Sequence, residues 1–300
     1  MASLDGRENL AGGPLDDGFA SVESSVTMVR AIFPWGDVGA QIEYGERALV
    51  LEPTSSPWYP VGVYAVGLGS YFAGNIGNAR KSLAVAHDMA LPAQQWLVAG
   101  SSLAYGSIAA SEASDWQAQH QLAELAAAFA AEFQIEDVAG EVHVALGLSY
   151  AVQGDIQAAR SLLERGVLVL RAWAQPTELA EALLRLGTVC RAQGDIGRMR
   201  SAFDEARAVV ESCVDPGKLP QRLTVLDPAE TSGPQDRAAL TDREIVILRH
   251  LASDQSERQI AESLYVSPNT VHTQVRSVYN KLGVTSRSDA VSRARALGLL

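Results

Sequence analysis

A turn-forming pair recurs along most of this chain at a nearly fixed interval. Gly36-Asp37, Gly74-Asn75, Ser114-Asp115, Gly154-Asp155 and Gly194-Asp195 are separated by 38, 40, 40 and 40 residues. Each pair is flanked by stretches whose apolar residues repeat at helical spacing. Glycine tolerates the left-handed backbone that ends a helix, and Asp or Asn caps the next one. One unit is therefore a helix, a turn and a second helix. Such a hairpin cannot bury its apolar face alone, so the units must stack. Gly67, Gly147 and Gly187 each sit seven positions before their turn, with Ser107 at the equivalent place. A small residue there lets the two helices of a hairpin approach closely. Arg80, Arg160 and Arg200 each stand six positions after the turn, and His120 holds that place in another unit.

The expected fold is all-α: a solenoid of helical hairpins over residues 21–214, with no sheet. Residues 1–20 are rich in Gly and Asp and are expected to be loose. Pro53, Pro57 and Pro60 break the chain between the first two hairpins. Residues 215–239 carry Pro216, Pro220, Pro228 and Pro234 with Gly217 and Gly233, a composition expected of a linker. A second domain is expected over residues 240–300.

That second segment reads as short, sharply capped helices. Thr241-Asp242-Arg243-Glu244 and Ser256-Glu257-Arg258-Gln259 are capping boxes. Ile245, Leu248 and Leu251 follow the first box, and Ile260, Ala261 and Leu264 follow the second. Ser267-Pro268 opens a third helix, with Pro at the position where its missing N–H costs little. Val271, Val275, Val278 and Leu282 form the apolar stripe of that helix. Its opposite face carries Asn269, Thr270, His272, Thr273, Arg276, Ser277 and Asn280. Gly283 ends it. A fourth helix is expected from the Ser286 cap to Gly298.

This pattern resembles the LuxR-type helix-turn-helix. The matching residues include Leu240-Thr241, Arg243-Glu244, Leu248, Leu251-Ala252, Ile260-Ala261, Val266-Ser267, Thr270-Val271, Lys281-Leu282-Gly283-Val284, Arg287 and Leu297-Gly298-Leu299. Three positions depart from the family pattern. Asp254 replaces a usual Gly, His272 a usual Lys and Gln274 a usual His. Loss of the Lys implies lower affinity or a different sequence preference. The resemblance implies that the third helix enters the major groove of double-stranded DNA. Carried over by position, His272, Thr273 and Arg276 would face base edges, Arg to guanine being the commonest specific contact. Ser267, Asn269, Thr270, Gln274 and Lys281 would touch phosphates. The family commonly uses its last helix to pair two copies on DNA, so a dimer on an inverted-repeat operator is expected. The repeats are similar to the tetratricopeptide-like solenoid of the MalT-like large LuxR-type regulators. Those carry an ATP-binding module ahead of the repeats; this chain starts near where that module would end.

Charge divides the chain in the same place. The net charge is −11, yet residues 236–300 hold nine basic and seven acidic side chains, leaving 15 and 28 elsewhere. The acidic part is excluded as a DNA-binding surface. No Gly-x-x-x-x-Gly-Lys-Ser/Thr or Gly-x-Ser-x-Gly occurs, and the recurring carboxylates are explained by capping. An enzyme is therefore not expected, and neither is a cofactor. His87, His120, His143, His250 and His272 lack metal-ligand spacing. With no long apolar run and no visible secretory signal, a cytoplasmic chain with no membrane contact and with Cys190 and Cys213 reduced is expected.

Trp35, Trp58, Trp96, Trp116 and Trp173 are spread over the repeats. Core packing is the expected role for each; a groove stacking on a sugar or peptide is the alternative. The sequence supports a DNA-binding transcriptional regulator whose repeats sense a small-molecule or protein effector, with RNA polymerase as a further partner. A solenoid scaffold with a weak or vestigial DNA-binding domain is the alternative.

Overall fold

The computed structural model describes residues 15–173, 176–227, 242–253, 255–264, 268–282, 284 and 286–296. The chain divides into two units, residues 1–226 and 227–300. Ten helices of the first unit pair as hairpins. They are α1 (Val22–Ile32) with α2 (Val38–Leu51), α3 (Tyr59–Phe72) with α4 (Ile76–Ala90), and α5 (Trp96–Glu112) with α6 (Trp116–Phe133). They continue as α7 (Gly140–Gln153) with α8 (Ile156–Trp173), and α9 (Pro176–Ala192) with α10 (Ile196–Ser212). The described residues contain no strand; one isolated bridge joins Asp37 to Asp215.

The five turns fall where the recurring pairs stand, and four share one hydrogen-bond scheme. Gly74, Ser114, Gly154 and Gly194 adopt positive φ. The next residue's N–H then donates back to the carbonyl five residues earlier: Asn75 to Ser70, Asp115 to Ala110, Asp155 to Tyr150 and Asp195 to Cys190, at 2.8–3.0 Å. This satisfies carbonyls left open at a helix C-terminus. The same residue's side chain caps the following helix, accepting from the N–H three residues on at Asn78, Ala118, Ala158 and Arg198. Asp37 caps α2 in the same way through Ala40.

Seven residues before the turn, the small side chains do what their size implies. A Cβ on Gly187 would stand 2.7 Å from the Phe203 ring, and one on Gly147 would stand 3.0 Å from Leu163. Ser107 donates to the Gln119 carbonyl across the hairpin. Six residues after the turn, the basic side chains join successive hairpins. Arg80 reaches the turn residue Asp115 at 2.7 Å and Arg160 reaches Asp195 at 3.0 Å. His120 instead meets Ser149 at 2.7 Å. Among the described residues Asp155 is thus a cap alone, while Asp195 is a cap and an ion-pair partner. Asp155→Ala is expected to cost about 1 kcal/mol through loss of its cap. Asp195→Ala should shift the urea midpoint further, a difference that Arg160→Ala abolishes.

The main core runs from Val38 through the second to fifth hairpins, with Tyr71, Phe72 and Tyr105 fully buried and in mutual ring contact, while Met28 and Ala48 of the first hairpin pack with Phe19 and Val61 in a second cluster. The tryptophans do not all join it. Trp35 and Trp116 are 62% and 50% exposed, against the core-packing expectation, because each stands beside a turn at the edge of its hairpin. Trp58 and Trp96 are half-buried and stack on Phe19 and Phe133, each at 4.2 Å. The side chain of Trp173 lies outside the described residues. Phe19 is itself buried, so the part of residues 1–20 that is described is packed rather than loose. Cys190 and Cys213 are free thiols.

Residues 215–226 correct the expected linker. They cross back over the stack and end in a further helix, α11 (Leu219–Leu226). Asp215 donates to the Gly36 carbonyl and accepts from Val38, both at 2.9 Å, and its side chain accepts from Gly39. Lys218 donates to the Phe72 carbonyl at 2.8 Å. Gly217 passes Phe72 with positive φ, where any Cβ would collide with that carbonyl. Pro220 occupies the second position of α11, where no N–H is needed. Leu219 and Leu223 then face inward, fully and nearly fully buried. The prolines read as linker chemistry; the Leu pair four residues apart is the signal that a helix is present.

Beneath this strap lies a buried ionic cluster. Glu181, 2% exposed, accepts from Arg185 at 2.8 Å, from Arg222 at 2.7 Å and from the Tyr71 hydroxyl at 2.7 Å. Arg222 also donates to Tyr71 and lies over its ring at 4.6 Å. Glu112 pairs with Arg185 and lies 3.5 Å from Arg222. Burial pushes the Glu181 carboxyl up, but Arg185 and Arg222 outweigh it and hold the group down at about 2.

Candidate nucleic-acid interface

The second unit contains α12 (Asp242–Ala252), α13 (Glu257–Leu264), α14 (Pro268–Leu282) and α15 (Arg287–Ala296). Its core is small: Ile247, Leu248, Leu251, Ile260, Ala261, Val271, Val275, Val278, Ala290 and Ala294. Val271, Val275 and Val278 of the α14 stripe are buried as their spacing predicts, and Leu282 packs against them half-buried. Ile247 is part of this core, while the side chain of Ile245 lies outside the described residues.

Three local devices fix the helix ends. Ser256 and Gln259 form a reciprocal box. Ser256 N–H donates to Gln259 Oε1 at 2.9 Å, and Gln259 N–H donates to Ser256 Oγ at 3.4 Å. Ser286 caps α15 by accepting from Asp289 N–H at 3.2 Å. Val284 N–H donates to the Tyr279 carbonyl at 3.0 Å and closes α14; Gly283 itself is outside the described residues. Thr241 also lies outside them. Glu244, 5% exposed, accepts from Ser277 Oγ at 2.7 Å. Ser277, expected on the outward face of α14, thus turns toward α12. Arg287 donates to the carbonyls of Leu251 and Gln255 at 2.6–2.9 Å, tying α15 to the end of α12. That gives this resemblance-matched arginine a structural task.

On the outward face of α14, His272 and Arg276 are exposed, four residues apart and so on one side of the helix. Gln274 is half-buried. The side chains of Asn269, Thr270, Thr273 and Lys281, and the whole of Ser267, lie outside the described residues. His272 carries a partner that its sequence position does not disclose: Nδ1 stands 3.1 Å from Glu257 Oε2, at the start of α13. Arg293 and Arg295 are exposed on α15, while Ala290 and Ala294 are fully buried in the core.

Short capped helices around a small apolar core, with one polar, partly basic helix face turned to solvent, define a helix-turn-helix unit. The family described as bacterial regulatory proteins, luxR family, matches residues 238–294. The C-terminal part of this chain is therefore a LuxR-family helix-turn-helix domain. Over 66 residues the chain is 38% identical to the transcriptional regulatory protein YdfI of Bacillus subtilis, covering 22% of this chain and 31% of that protein. Over 61 residues it is 46% identical to the probable transcriptional regulatory protein NarL of Mycobacterium tuberculosis, covering 20% and 28%. The chain thus spans under a third of the length of these curated relatives. Among solved structures, the apo form of RapI aligns at a TM-score of 0.42 and 11% identity, over 92% of this chain and 74% of that one. BtubC from P. vanneervenii aligns at 0.41 and 14%, over 62% and 78%. No helix among the described residues is long and apolar enough to cross a membrane.

Proposed function

We propose that this protein is a DNA-binding transcriptional regulator that reads the major groove through α14 and uses its helical repeats to sense an effector. The observation that carries the reading is the LuxR-family match over a helix whose apolar stripe is buried and whose opposite side exposes His272 and Arg276. Arg276, Thr273 and His272 are assigned to base edges. Ser267, Asn269, Thr270, Gln274 and Lys281 are assigned to phosphates. Pairing of two copies on DNA would set two α14 helices in successive major grooves, about 34 Å apart.

Binding to the protein's own upstream region, titrated at several salt concentrations, tests this. Arg276→Ala should weaken specific binding by about 1–3 kcal/mol. Lys281→Ala should weaken all sequences alike and lower the salt slope by about one unit. An unchanged specific-to-nonspecific ratio in Arg276→Ala would remove Arg276 from base reading. Because Glu257 pairs with His272, Glu257→Gln should keep a hydrogen-bond partner for the imidazole but remove a carboxylate from the DNA side. Tighter binding of Glu257→Gln than wild type is the expected sign.

A further inference from the structure

A cavity of about 490 Å³ opens among α1, α2, α3, α5, α7, α8 and α9 of the repeat unit. Its volume lies in the range of small-molecule sites. Most of its wall is apolar and aromatic, including Trp58, Trp96, Tyr64 and Leu68. Both indoles are braced from behind, Trp58 by Phe19 and Trp96 by Phe133. Trp58 is fixed further by its Nε1 donating to the Asp17 carbonyl at 2.8 Å. The aromatic surfaces are thus set in place before any ligand arrives.

Two carboxylates, Glu141 on α7 and Glu178 on α9, share this wall, and its described lining contains no Lys, Arg or His. Glu141 is 5% exposed, and its described polar partner is the Ser101 hydroxyl. This differs from the Glu181 cluster, where two arginines balance two glutamates. A second and independent sign is Gln41. It is 3% exposed and lines the cavity, and its Oε1 accepts no hydrogen bond from the described residues. A buried carbonyl oxygen left open is costly unless something else supplies the donor.

We propose that this cavity binds an organic cation, a protonated amine with an aromatic or branched apolar body, its ammonium group held by Glu141, Glu178 and Gln41 and its body packed between Trp58 and Trp96. An ammonium group supplies donors to all three acceptors, and aromatic faces attract it. A metal ion fits the wall poorly, since hard cations want six or more oxygens and the described residues hold no cluster of three ligating side chains. The assignment rests on the reading of the repeats as a sensing module and gives that module its ligand class.

The electrostatics of the two carboxyls agree. Burial, then the neighbouring Glu141 charge, push the Glu178 carboxyl up to about 8, partly offset by the Tyr105 hydroxyl. Burial also raises Glu141, and the Tyr64 and Tyr105 hydroxyls facing the pair are raised well above their usual range. A proton that the raised carboxyl of Glu178 favours at pH 7 is one that a bound cation would displace. Binding should release a proton at pH 7 and release progressively less as pH rises past about 8.

The test is calorimetry on the full chain with 2-phenylethylamine and benzylamine, with 2-phenylethanol as neutral and phenylacetate as anionic comparison. The amines are expected to bind, quench tryptophan fluorescence and release protons, seen as heats that differ between buffers of unlike ionisation enthalpy. Glu178→Gln should weaken the amines by at least about tenfold, since a buried charge pair loses one member. Its fold is checked by thermal melting, where it should gain stability near pH 8 by removing a buried acid. Equal affinity for the alcohol, or undiminished amine binding by the Glu141→Gln, Glu178→Gln double variant, overturns the proposal. Operator binding is measured separately with and without amine. An amine that binds without altering DNA affinity leaves the site standing and defeats only its coupling to regulation.

Discussion

Glu181→Leu is expected to destabilise the repeat unit by about 3–5 kcal/mol, because removing one member of a buried charge cluster strands the others. Arg185 and Arg222 would be left facing one another with only Glu112, which is more exposed, between them. Tyr71 would lose its acceptor in the core. Denaturant unfolding followed by far-ultraviolet circular dichroism measures the loss. The acid limb gives a second signature. The folded carboxyl is held at about 2, below its usual value of 4.5. Its contribution is therefore fully present above the unfolded value and drains away as pH falls through that window. Wild type should lose stability steeply between about pH 4.5 and 2, and Glu181→Leu should lose less there. Parallel acid limbs in the two proteins would mean that the cluster does not hold the strap.

Leu248→Ala should have a comparable effect confined to the other unit. Leu248 is fully buried at the centre of a ten-residue core. Large-to-small changes at such sites cost about 2–5 kcal/mol, a large share of what a unit this small possesses. Hydrogen exchange resolved by peptide should show residues 242–296 losing protection while residues 59–212 keep theirs. Specific DNA binding should fall with the folded fraction. Loss of protection in both segments together would mean that the two units do not fold separately.

The hairpins and the C-terminal unit were legible because their signals are local. A left-handed residue followed by an Asp or Asn cap is complete within nine residues. The Ser256–Gln259 box and the α14 stripe are similarly short-range, so they could be read directly. What escaped reading depends on residues far apart in the chain. Tyr71, Glu181 and Arg222 are separated by 110 and 41 residues, and no composition or spacing rule connects them. The Glu141–Glu178 pair escaped for the same reason. In the candidate interface, exposure of His272 and Arg276 followed from helical phase. The hold of Glu257 on His272, and of Glu244 on Ser277, depended on how two helices cross. Pro216, Gly217 and Pro220 misdirected the reading of residues 215–226, since proline marks the start of a helix as readily as the middle of a linker.

A chain of stacked hairpins ordinarily has no fixed length. Each unit touches only its neighbours, so whole units can be duplicated or lost with little penalty. Here Tyr71 of the second hairpin touches Glu181 of the fifth, and the segment from Asp215 to Arg222 grips the first, second and fifth together. Excising the forty residues of the fourth hairpin, harmless in an open stack, would leave these partners out of register. The strap acts as a gauge that accepts one number of hairpins. Lineages descending from this chain are free to vary its exposed tryptophans, but copy-number variation in its repeats is closed to them unless the strap is lost first.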